Sequence, residues 1–176
     1  AVRIAEEMIW HEGFDNFIFP SCLVRLAKDR GVVTVAISRC PVFILEIYNS
    51  IFHFDYIIGA EWEVADGVFS GGVSNPGIFD DKRMSLLQHL RQLVSPDDFE
   101  RGAGIGDTMN DAAWLDLFGY RIAFNPDGPL LVYARNNPAN YIVVHEHKDV
   151  VICPQHESIV SPQELARCCM DEWQLW

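Results

Sequence analysis

Apolar positions recur along the chain with two periods, and the switching between them predicts the elements. Val2, Ile4, Ala5, Met8 and Ile9, separated by Glu6, Glu7 and Glu12, have the spacing of a helix over 1–12. Ser21 is placed to cap a helix over 22–29, which Gly31 closes. The β-branched run 32–37 has no polar alternation, so it predicts a parallel strand buried on both faces, ending at Ser38. Pro41 opens a helix over 42–51, and 54–58 is a second short strand. Two extended stretches, 61–64 and 68–73, flank Asp66-Gly67, the pair expected of a type I′ hairpin. After the break at Asn75-Pro76-Gly77, Lys82 begins a helix over 82–93 with Met84, Leu87, Leu90 and Leu93 inward.

Ser95-Pro96-Asp97-Asp98 reads as a loop before a short apolar strand that ends in Gly106-Asp107. A helix over 112–118 follows, stopped by Gly119, then a strand over 120–124 stopped by Asn125-Pro126. A Pro/Asn-rich segment separates this from a strand over 141–144, an extended stretch 149–153 and a helix over 162–173. No repeat or low-complexity linker interrupts the series. Strands alternating with helices predict an α/β fold, a doubly wound parallel sheet.

Composition narrows the partners. With 176 residues, 49% apolar and 22% charged, the chain suits one globular domain with a real core. A formal charge of −12 argues against a nucleic-acid surface and against an anionic membrane face. It leaves room for an anionic substrate, because a bound cation and local Lys or Arg reverse the field in a cleft. No apolar run reaches membrane-spanning length, and the N-terminus lacks a basic-then-apolar signal pattern. Five cysteines without a Cys-x-x-Cys pair read as reduced thiols of a cytoplasmic protein.

Asp107 and Asp111 stand four residues apart across a strand-to-helix turn. Carboxylates that close stay ionised cheaply only beside a cation, and an oxygen-only set favours magnesium before calcium or zinc. The plainer alternative is a helix start, where the dipole favours acids. Ser38 alone would be a strand-end hydroxyl capping the next helix, and Lys82 alone a solvated charge. Gly102-x-Gly104-x-Gly106 approximates a dinucleotide fingerprint, but its third glycine is one residue early and no strand precedes it. Arg39 reaches a substrate carboxylate or lies on the surface; Cys40 is a thiol near a helix start or a small buried hydrophobe. His145-Glu146-His147 lacks the helical spacing of a zinc pair and reads as a solvated strand end. Cys168-Cys169 read as packing residues, and Trp173 and Trp176 as a partner surface or a frayed end.

Three separated signals then fall in order: Val35-Ala36-Ile37-Ser38, Asp81-Lys82, and Gly106-Asp107-x-x-x-Asp111. Their order and spacing resemble motifs II, III and IV of the haloacid dehalogenase superfamily. Ser38-x-x-Pro41, the hairpin running from Tyr56 to Gly72, and Gly119 through Pro126 resemble its phosphoserine-phosphatase-like branch. The resemblance covers roughly 18–135 and implies a Rossmann-like sheet that transfers a phosphoryl group from a small phosphorylated metabolite through an aspartyl-phosphate, with Mg2+. It further implies that Ser38 hydrogen-bonds a phosphoryl oxygen and Lys82 neutralises phosphoryl charge. Asp107 would ligate the metal, Asp111 would act at its outer shell and steady the lysine, and Asn110 would contact substrate or phosphate. Such catalysis is mostly positioning and charge neutralisation.

The family's first motif, Asp-x-Asp at the end of a first strand, does not occur. Before Ser38 the aspartates are Asp15 and Asp29, neither preceded by a buried strand. The resemblance therefore implies a missing central strand, between the strands at 32–37 and 103–105, and open edges that invite aggregation or rescue by another segment. Residues 1–17 are then expected to be the remnant of an inserted cap, and 18–176 the core. No nucleophile is present, and turnover by this chain alone is not expected. A non-catalytic binding or regulatory domain of the same fold is the rival expectation.

Overall fold

A computed structural model describes residues 17–147, 150–153 and 161–173. The expected helix over 1–12, nearly all of the expected cap remnant, and Trp176 lie outside the described residues. In chain order come α1 (Ile18–Asp29), β1 (Val35–Pro41), α2 (Val42–Phe52), β2 (Tyr56–Ala60), β3 (Trp62–Ala65) and β4 (Val68–Val73). Next are α3 (Gly77–Asp80), α4 (Lys82–Leu90), α5 (Pro96–Arg101), β5 (Ala103–Gly106), a 3-10 turn (Met109–Asp111) and α6 (Ala112–Leu115). β6 (Tyr120–Phe124), α7 (Gly128–Asn136), β7 (Tyr141–His147), β8 (Val150–Ile152) and α8 (Pro162–Glu172) complete the order. The architecture is α/β, with parallel and antiparallel pairings, and the contacts divide it into two compact units.

The first unit includes Val33–Leu90. β1 and β2 pair in parallel, Val35 with Tyr56 through Ile37 with Ile58; the register then slips so that Pro41 faces Ala60. Four steps along β1 thus match two along β2, and the chain bulges at Ser38-Arg39-Cys40. Gly59 makes the room, since a Cβ there would lie 2.9 Å from the Cys40 carbonyl oxygen and 2.7 Å from Leu45 Cδ1. β1 is half-buried along most of its length instead of buried on both faces, and Val33 is exposed. The reason is that, among the described residues, β2 is its one partner strand. The hairpin forms as expected, with positive φ at Asp66 (51°) and Gly67 (77°).

α4 corrects the expected inner face. Asp81 Oδ1 accepts from the Met84 amide at 3.0 Å, the helix stops at Leu90, and Ser85, Leu86 and Leu90 are its buried residues. Met84 and Leu93 are exposed. Repeated steps of three residues fall short of a full turn and spiral off any one face, whereas the i, i+4 pair Leu86 and Leu90 keeps it.

The second unit holds Phe17–Val32 and the chain from Arg91 onward. Its sheet has the order β5-β6-β7-β8, parallel through β7 and antiparallel at β8. Phe19, Ile122, Val144, Leu165 and Met170 are among the side chains of its core. α1 begins at Ile18, before Ser21, whose hydroxyl donates to the Phe17 carbonyl instead of capping. The cap comes from Glu146, whose two carboxylate oxygens accept from the amides of Ile18 (2.5 Å) and Phe19 (2.9 Å). Glu146 is buried, contrary to the solvated strand end expected of it, because the orphan amides of a helix start need an acceptor.

Other corrections follow the same capping logic. Ser95 and Asp98 form a capping box, so the expected loop there opens α5. Asp127 caps α7, which fills the segment read as irregular. Trp173 is core, stacked on Tyr120 with ring centroids 5.2 Å apart, and Cys40 is exposed instead of buried. The five cysteines form no disulfide with one another, and burial pushes the Cys169 thiol up to about 12.

Candidate active site

The strand β5 ends at Gly106 and delivers Asp107 to an exposed tip. Below it lies Asp111, only 2% exposed. One of its carboxylate oxygens accepts from the Thr108 hydroxyl (3.0 Å), the Thr108 amide (3.1 Å) and the Asp107 amide (3.3 Å). The other accepts from the Trp114 indole N–H at 3.0 Å. A buried carboxylate with four donors is well satisfied and fixes the backbone on which Asp107 rides. Gly106 permits this, because a Cβ there would meet the Asp111 Cβ at 2.7 Å.

Asp127, which the sequence reading passed over, fastens the far side of the loop. Its amide donates to the Asp107 carbonyl (2.8 Å), and its carboxylate accepts from the amides of Leu130 (2.8 Å) and Met109 (3.3 Å). The available signal was Asp127-Gly128-Pro129 before an apolar run, a helix-start pattern. Asn110 is exposed on the 3-10 turn.

Among the described residues no three His, Cys, Asp or Glu side chains gather into a metal cage. The donor set at the loop still fits a hard divalent ion. Magnesium habitually takes one or two protein carboxylates and completes its shell with water and phosphate oxygens. Asp107 supplies an oxygen donor at the exposed tip. Asp111, its oxygens engaged by the loop and Trp114, fits the supporting role.

The hydroxyl and the cations belong to the first unit. Ser38 sits in the β1 bulge, where its Oγ accepts from the Cys40 amide at 3.1 Å. Bulges of this kind re-aim side chains beside functional sites. Arg39, next in the bulge, has a buried Nε without a hydrogen-bond partner among the described residues. Lys82 is the first residue of α4, at the end capped by Asp81. Thus each unit gathers its share of the expected residues: Ser38, Arg39 and Lys82 in one, Asp107, Asn110 and Asp111 in the other.

Among the described residues no helix is long and apolar enough to cross a membrane. No curated protein matches the chain. A family model described as haloacid dehalogenase-like hydrolase matches residues 3–116. Among solved structures, a Bordetella pertussis Tohama I protein of unknown function is similar at TM-score 0.65 and 20% identity, over 77% of this chain and 62% of that one. A HAD family hydrolase from Salmonella enterica serovar Typhi gives TM-score 0.54 at 20% identity, over 68% of this chain and 40% of that one. A probable phosphoserine phosphatase from Vibrio cholerae gives TM-score 0.52 at 16% identity, over 84% of this chain and 42% of that one. The chain therefore spans less than two thirds of the length of each, and at these identities the likeness is one of fold.

Proposed function

Because the chain belongs to the haloacid dehalogenase-like hydrolases, we propose that it carries the phosphate- and cation-binding part of a magnesium-dependent phosphomonoester hydrolase, similar to phosphoserine phosphatases. The observation that carries this reading is the loop after β5, where a fully bonded Asp111 holds the exposed Asp107 in place. In this reading Asp107 holds Mg2+, which when bound supplies positive charge to phosphate oxygens. Ser38 donates its hydroxyl to a phosphoryl oxygen, Lys82 neutralises phosphoryl charge, and Arg39 and Asn110 bind substrate or phosphate. The substrate is a small phosphorylated metabolite, and five cysteines that form no disulfide with one another suit a reducing cytoplasm.

The 176 residues contain no Asp-x-Asp, so this chain by itself lacks the family's nucleophile and does not turn over. The same fact favours a second reading, a non-catalytic domain that keeps phosphate binding. Calorimetric titration with magnesium in the presence of inorganic phosphate tests the binding claim: each ligand should tighten the other, and Asp107→Asn should abolish the coupling. Independent or absent binding would end both readings. Release of phosphate from an aryl phosphate or phosphoserine, above the buffer rate, would contradict the inactivity.

A further inference from the structure

Within the first unit, α2 and the β3–β4 hairpin enclose an open hollow of 340 Å³. Val42, Phe43, Trp62, Val64 and Phe69 line it together with Glu46 and Glu61, and among the described residues no Lys or Arg does. Phe43 stacks on Phe69 with centroids 5.4 Å apart, and Trp62 meets Phe69 edge-on at 6.2 Å, so the three rings form two walls at a steep angle. Every residue of β3 is exposed, so core packing does not account for Trp62 there. Glu61 is held in place, its Oε2 accepting from the Ser74 hydroxyl at 3.0 Å and its amide donating to Asn75 Oδ1 at 2.8 Å.

We propose that this hollow binds an alkylated ammonium group carried by a small molecule. Aromatic faces attract a cation through their quadrupole, and the attraction is strongest for Trp. The two carboxylates disfavour an anion, and a neutral apolar ligand would cover them without compensation. A bare ammonium or a metal ion is too strongly hydrated to settle against rings. An alkylated ammonium spreads its charge over methyl groups and gives up its water cheaply. The net charge of −12 adds a long-range pull in the same direction. The hollow uses none of the residues assigned above to phosphate or metal, so the two ideas fail separately.

The probes are choline, its neutral isostere 3,3-dimethyl-1-butanol, and methylguanidinium, each titrated into the 15N-labelled chain while the Trp62 indole N–H signal is followed. Choline should shift it saturably, with the isostere binding about tenfold more weakly. Trp62→Leu should remove the effect from the remaining ring signals, and Glu46→Gln with Glu61→Gln should weaken choline about tenfold, on a fold verified by its amide spectrum. Equal binding of the isostere would mean an apolar hollow only. Preference for methylguanidinium would point to an arginine-bearing partner. Either result, or no saturable shift, overturns the proposal.

Discussion

Between Gly106 and Asp111 a single buried carboxylate accepts four hydrogen bonds, and a second acid, Asp127, ties the same loop from outside. Between Ser38 and Pro41 the bulge has, among the described residues, one side-chain bond, from the Cys40 amide to Ser38 Oγ, and a gap provided by Gly59. The acid loop is thus over-determined before any ligand arrives, whereas the hydroxyl-bearing bulge retains an Arg39 Nε with no hydrogen-bond partner among the described residues. The contrast teaches where function and stability separate. Substitutions that unsettle the acid loop should lower stability together with binding, and substitutions of the bulge's own side chains should lower binding alone.

The largest expected effect is on the loop. Asp111→Ala strands the buried Trp114 indole and the half-buried Thr108 donors, and should cost about 3 kcal/mol in urea unfolding. A loss below about 0.5 kcal/mol, the usual surface value, would erase the contrast. Next, Gly59→Ala presses a methyl onto the Cys40 carbonyl and Leu45, and should cost about 2 kcal/mol with a shifted bulge register. Amide chemical-shift changes at Ser38–Cys40, absent in a Gly77→Ala control that meets nothing, would locate the damage.

The second unit can be stressed alone by alkali. Burial pushes the Cys169 thiol up to about 12, from an ordinary value of 9.0. A raised folded value means the contribution is complete below pH 9 and is lost as pH rises from there towards 12. Stability should fall by about 1 kcal/mol between pH 8 and pH 10, a slope that Cys169→Ala should flatten. Smallest of all, Ser38→Ala removes one partly exposed bond and should change stability by less than about 0.5 kcal/mol.

Sequence alone exposed the site's scaffold where the signal was local. The apolar run ending in Gly106-Asp107 placed β5 and its acidic tip, and Asp66-Gly67 placed the hairpin turn, because each depends on neighbours in the chain. It missed what depends on distance. Glu146 caps a helix 127–128 residues away, which no local pattern announces. Ser21 looked like the cap because it is the nearest hydroxyl, but the helix had already begun under Glu146. The burial expected of 32–37 rested on its lack of polar alternation, a local signal, whereas its actual exposure follows from β1 having one partner strand among the described residues. Asp127 was legible as a helix start, yet its hold on the Asp107 loop needed coordinates. Trp173 looked terminal and is core, since α8 packs Leu165, Cys169 and Met170 inward beside it.

The central proposal is that the chain binds a phosphoryl group, for which Ser38 and Lys82 are the assigned residues, and a hard cation, for which Asp107 is. Its most direct test is the melting temperature of the 176-residue chain with magnesium, with orthovanadate, and with both. With both ligands saturating, the midpoint should rise by about 5 °C or more, exceeding the sum of the separate shifts. Lys82→Ala and Asp107→Asn should each remove that excess, and the double substitution should do no further harm. A shift that is additive in the two ligands, or that survives either substitution, would contradict the account.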